Sequence, residues 1–144
     1  MKRAVIGVGS PFGADWFGWQ VVDQLQNILD QAEIGYCKLD RPGSALLQQM
    51  EGYQQVVLVD AIQTDSDRAS ELIVLDQPQL LKLSQQKRST HALGIAETVA
   101  LGNVLNDLPP QLQLVGVGVV DLKCEVDEAL VKQGVEQVLA LLKV

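Results

Sequence analysis

The sequence predicts an α/β fold: a three-layer sandwich with a mostly parallel, five-stranded twisted sheet, helices on both faces and one antiparallel strand. Three observations carry this. Short apolar runs end abruptly at glycine or aspartate, as strands buried on both faces do. Stretches with apolar residues at helical spacing lie between most of these runs. The two kinds of segment alternate along the chain, the pattern of parallel sheets covered by helices.

Ala4 to Val8 reads as the first buried strand, followed by a glycine- and proline-rich loop from Gly9 to Ala14. Phe17, Val21, Val22, Leu25, Ile28 and Leu29 then recur at helical spacing. Ile34 to Leu39 is a short second strand, and Ser44 to Glu51 a helix stopped by Gly52. Gln55 to Val59 is the clearest strand, and it ends at Asp60. Asp65 to Ser70 is a polar loop, and Glu71 to Leu75 a fourth strand. No helix separates that strand from Asp60, so it reads as an antiparallel hairpin partner. Pro78 to Ser84 is a short helix or irregular, and Leu93 to Leu105 a helix beginning near His91. After Pro109 and Pro110, Leu112 to Val120 forms the fifth strand and Glu125 to Leu142 a long amphipathic helix.

The 144 residues suit one domain, 1–144, with one sizeable core, and 47% apolar residues exclude a disordered chain. Only 4% are aromatic, so the core is aliphatic. A net charge of −7 argues against nucleic acid and anionic membrane surfaces as partners. No run approaches the roughly 18 apolar residues of a membrane span. The first seven residues are too short and glycine-broken for a signal peptide. Cys37 and Cys124 stand far apart, as in a reduced, cytoplasmic protein. A monomer is expected.

In open α/β sheets, ligands bind outside the carboxyl ends of the strands. Asp15, Asp60 and His91 all fall on that predicted edge. His91 is the one histidine of the chain, able to ligate a metal or move a proton near neutral pH. Two carboxylates and an imidazole leave open positions on a metal, as an exchangeable ligand requires. Each residue also has a plainer use. Asp15 suits an N-cap of the helix at Phe17, and Asp60 an Asx-turn. Ser89 or Thr90 suits a cap of the next helix, leaving His91 incidental. Gly7, Gly9 and Gly13 hint at a dinucleotide loop, but their spacing is one residue too long and Pro11 interrupts it. No G-x-S-x-G elbow is present for a serine hydrolase.

The segment Gly7-Val8-Gly9-Ser10-Pro11-Phe12-Gly13-Ala14-Asp15-Trp16-Phe17-Gly18 resembles the N-terminal motif of the hydrogenase maturation endopeptidases, G-x-G-N-x-x-x-x-D-[DE]-G-x-G. Val57-Leu58-Val59-Asp60-Ala61 is similar to the family's second motif, and Ser89 to Gly94 to its third, around the histidine. The resemblance covers most of the chain with matching order. It implies a cytosolic α/β peptidase that removes the C-terminal extension of a nickel–iron hydrogenase large-subunit precursor after nickel insertion. The implied metal contacts, which are also the implied catalytic set, are Asp15, Asp60 and His91. The nickel belongs to the substrate protein. Asp60 is the better candidate base on position.

The chain departs from the family pattern in one loop. Ser10 replaces the usual asparagine, the stretch to Asp15 is one residue shorter, and Trp16 stands in place of a small residue. Aligned forward from Gly9, Trp16 would take the ligand position; aligned back from Phe17-Gly18, Asp15 takes it. The second is preferred, because loops absorb deletions more easily than helices do. Trp16 is expected to be exposed and Trp19 to pack in the core. The altered loop keeps a second reading open, a non-catalytic binding or chaperone version of the same fold; a nucleotide-binding domain is a third.

Overall fold

The computed structural model describes residues 2–29, 32–41, 43–65, 69–85 and 91–143, with the backbone alone for 91–93. The strands are β1 (Arg3–Val8), β2 (Ile34–Leu39), β3 (Gln55–Gln63), β4 (Leu72–Asp76) and β5 (Gln111–Val119). The helices are α1 (Phe17–Ile28), α2 (Ser44–Met50), α3 (Gln77–Leu83), α4 (His91–Val104) and α5 (Glu128–Leu142). A single 3-10 turn, Gly13–Trp16, leads into α1. No helix among the described residues is long and apolar enough to cross a membrane.

The five strands form one sheet in the order β2-β1-β3-β5-β4. The first four are mutually parallel, and β4 runs antiparallel to β5. The expected antiparallel strand is therefore present, but it is not a hairpin partner of β3. β5 lies between them, paired along nine positions from Gln55↔Gln111 to Gln63↔Val119. The reason is burial. From Leu112 to Gly118 every residue of β5 but Gln113 is buried, which suits a central strand. β4 is five residues long and exposes alternate side chains, which suits an edge.

Strand alternation sends residues to two cores. Val5, Val57, Val59, Val115 and Val117 pack with Phe17, Val21 and Leu25 of α1 and Val131, Val135 and Val138 of α5. Ala4, Ile6, Val56, Leu58, Leu112 and Leu114 pack with Leu46 and Leu47 of α2, Leu80 of α3 and Ile95 and Val99 of α4. The sheet thus carries α1 and α5 on one face and α2, α3 and α4 on the other.

Several boundaries follow from local chemistry. Asp76 and Gln79 form a reciprocal capping box at the start of α3, with Pro78 in its first turn. α5 begins at Glu128, not Glu125, because the Asp127 carboxylate caps it by accepting from the Ala129 N–H at 3.0 Å. Trp19 is half-buried rather than core: its Nε1–H donates to the Leu39 carbonyl at 3.2 Å. Trp16 is 37% exposed, as expected.

Candidate active site

The chain order reverses at β1. β2 lies on one side of it and β3 on the other. Connections leaving the carboxyl ends of β1 and β3 therefore diverge, and a crevice opens between them. A cleft of about 680 Å³ occupies this place. Its walls come from the loop Val8 to Asp15, from Asp40 and Arg41 after β2, from Asp60 on β3, and from Gly94 in the first turn of α4.

The loop after β1 turns back on itself. Gly9 has φ of +152°, and a Cβ there would lie 2.0 Å from the Asp15 carbonyl oxygen. Only glycine permits that approach. The Ser10 N–H then donates to the same carbonyl at 3.0 Å, holding Asp15 beside the end of β1. At Gly18 a Cβ would meet the Val59 carbonyl at 2.4 Å, so the first turn of α1 rests directly on the sheet edge. Asp15 is half-buried in the 3-10 turn and lines the cleft. It does not cap α1, whose N-cap is Trp16 with no side-chain bond. Of the two residues that contend for this corner, Asp15 lines the cleft.

Gly7, Gly9 and Gly13 are accounted for without a phosphate. Added Cβ atoms would meet the chain's own carbonyls, of Gly18 at 2.4 Å, Asp15 at 2.0 Å and Leu122 at 2.4 Å.

Asp60 lies within β3 rather than at its end, since the strand continues to Gln63. A polar residue closing an apolar run looked like a terminus. The pairing shows why it is not: β1 leaves β3 after Val59, but β5 stays paired through Gln63. The Ala61 N–H lies past the end of the β1 ladder, and the Asp60 Oδ1 accepts it at 2.8 Å. This is not an Asx-turn. By strand alternation Asp60 shares the face of Val56, Leu58 and Ile62, the face covered by α4.

Asp60 is 1% exposed. Burial holds its carboxyl well above the usual carboxylate range, the Ala61 N–H opposes this, and the nearby Asp15 charge adds to it.

His91 opens α4, and Gly94, three residues on, lines the cleft. The start of α4 is therefore at the same crevice as Asp15 and Asp60. The His91 side chain, and Ser89 and Thr90, lie outside the described residues.

The sequence reading did not assign Asp40 and Arg41 to the site, nor Phe12, which is 76% exposed on the cleft. Asp40 and Arg41 follow β2, whose carboxyl end adjoins that of β1, and that adjacency, which brings them under the edge rule, is seen only once the strand order is known.

The model of the hydrogenase maturation protease family HycI matches residues 21–142, a span that includes β3 and α4 and begins just after the Asp15 loop. The hydrogenase 2 maturation protease of Escherichia coli K12 is 29% identical over 99% of this chain and 92% of its own length. The solved structure of the E. coli hydrogenase maturating endopeptidase HybD superposes with a TM-score of 0.82 at 26% identity, covering 99% of this chain and 93% of that one. A hydrogenase maturation protease HycI of Thermococcus kodakarensis, at 22% identity and a TM-score of 0.68, covering 98% of this chain and 89% of that one, shares the fold. The chain belongs to the hydrogenase maturation protease family.

Proposed function

We propose that this protein is an endopeptidase that removes the C-terminal extension of a nickel–iron hydrogenase large-subunit precursor after nickel insertion, in the cytoplasm. The observation that carries the reading is the buried Asp60 carboxyl beside Asp15, in a cleft walled by the first turn of α4. In this reading Asp15, Asp60 and His91 engage the substrate's own nickel. Imidazole and carboxylate are acceptable nickel ligands, and three of them suffice for an ion already held by substrate thiolates.

The nickel marks the precursor as loaded and brings the scissile peptide to the cleft. Asp60 is the better placed base, because a carboxyl held above the ordinary range takes a proton more readily than an exposed one. It accepts a proton from the attacking water. The water oxygen bonds to the scissile carbonyl carbon, the C–N bond breaks, and the proton passes to the leaving amine. Asp15 helps hold the cation, and the positive charge of the cation, opposing the effect of Asp15, favours the charged form of Asp60.

The test is cleavage of nickel-loaded and nickel-free precursor, followed by mass. Loss of the extension with nickel only, abolished in Asp60→Ala and His91→Ala, is the expected result. Cleavage that ignores nickel overturns the recognition step. Binding without cleavage assigns a chaperone-like version instead, which the shortened Ser10–Trp16 loop motivates.

A further inference from the structure

Among the described residues Arg41 is the one cation lining the cleft, which Asp15, Asp40 and Asp60 also line. The chain has 11 Lys and Arg against 18 Asp and Glu, so an acidic ligand is repelled from most of this surface. Arg41 is exposed, and among the described residues it makes no ion pair, although Asp40 is its chain neighbour. It stands after β2, while Asp60 lies on β3, two strands away. At about 4.8 Å per strand spacing the two are separated by roughly 10 Å, the length of about three residues of extended peptide.

We infer that Arg41 is a specificity-determining residue that pairs with a carboxylate on the segment to be removed. The inference rests on the protease reading above. With the metal-bearing part of the substrate held at Asp15, Asp60 and the start of α4, the remaining lining of the cleft includes Phe12 and Arg41. The leaving segment occupies this part of the cleft and brings an acidic group to the guanidinium, which donates to carboxylates in a two-pronged hydrogen bond. The carboxylate is either an acidic side chain or the chain terminus. Arg41 offsets the repulsion that three aspartates would exert on that carboxylate, and a substrate lacking the carboxylate forgoes the pairing.

The test uses the full-length protein and nickel-loaded precursor in three semisynthetic forms: native extension, acidic side chains replaced by amides, and terminal carboxylate amidated. On the native form Arg41→Glu lowers kcat/KM at least about tenfold through KM, with kcat kept and the melting temperature unchanged. Arg41→Lys recovers most of the loss. One of the two neutralised substrates is cut by wild type as poorly as the native one is by Arg41→Glu, and that form identifies the source. Equal kcat/KM for wild type and Arg41→Glu overturns the inference, as does an Arg41→Glu loss that persists undiminished on both neutralised substrates. If wild type leaves the nickel-loaded native precursor uncut, the protease reading itself fails, and this inference with it.

Discussion

Asp60 shows how one residue carries opposed demands. A carboxylate 1% exposed in an aliphatic sheet is costly when charged, and the single Ala61 N–H offsets only part of that cost. Its folded pKa lies above its unfolded value of about 3.9, so the native state holds the proton more tightly than the unfolded chain. The destabilisation is therefore full above the folded pKa, shrinks as pH falls through it, and is gone below about pH 3.9. Asp60→Asn keeps the acceptor for Ala61 but removes the charge. It is expected to raise stability at pH 7 by about 1 kcal/mol or more. Denaturant titrations at pH 7 and near pH 4 check this, the gain nearly vanishing at the lower pH. Cleavage falls by about a hundredfold or more in the same variant. Gly9→Ala makes the complementary case. Its Cβ would collide with the Asp15 carbonyl at 2.0 Å, so a loss of about 1–3 kcal/mol in stability is expected, with activity lost as Asp15 shifts. Thermal melts and the cleavage assay read both. Asp15 and Asp60 were legible in the sequence because each closes an apolar run or a glycine loop. Arg41 and Asp40 were not, because an exposed charge after a short strand looks like any solvated turn until the neighbouring strands are known.

Among the elements, periodicity identified the five strands and four of the five α-helices among the described residues, leaving the segment of α3 open as helix or irregular, and it did not identify their partners. The nine-residue pairing of β3 with β5 could not be read from either strand, since a run buried on both faces reads the same wherever it is central. For the same reason β3 seemed to stop at Asp60: the pattern registers a polar side chain, and the ladder that continues beside it is a long-range fact. The side-chain caps were not read from the sequence: α3 starts directly after its cap Asp76, not at Pro78. At α5 the cap is Asp127, three residues after the expected start. Asp127→Ala is expected to cost about 1 kcal/mol, a few degrees in melting temperature, measured by calorimetry. Cleavage is expected to be unchanged, because α5 packs with α1 on the face opposite α4.

For the whole molecule, the reversal of chain order at β1 turns a sheet into a site. It separates the connections after β1 and β3, and it brings Asp15, Asp60 and the first turn of α4 to one crevice from three distant parts of the sequence. The glycines that resemble a dinucleotide loop serve this closure, each making room for a carbonyl of the chain itself. A cleft with several carboxylates on a chain of net charge −7 suits a cationic centre carried by the substrate. The central claim is that Asp15, Asp60 and His91 act together on the substrate's nickel. Nickel K-edge X-ray absorption on a complex of this protein with nickel-loaded precursor, its scissile bond blocked, tests that directly. New nitrogen and oxygen ligands on nickel are expected with wild type, the nitrogen lost in His91→Ala and an oxygen in Asp60→Ala. A nickel spectrum identical in free and bound precursor, with His91→Ala still cutting the unblocked form, would contradict the account.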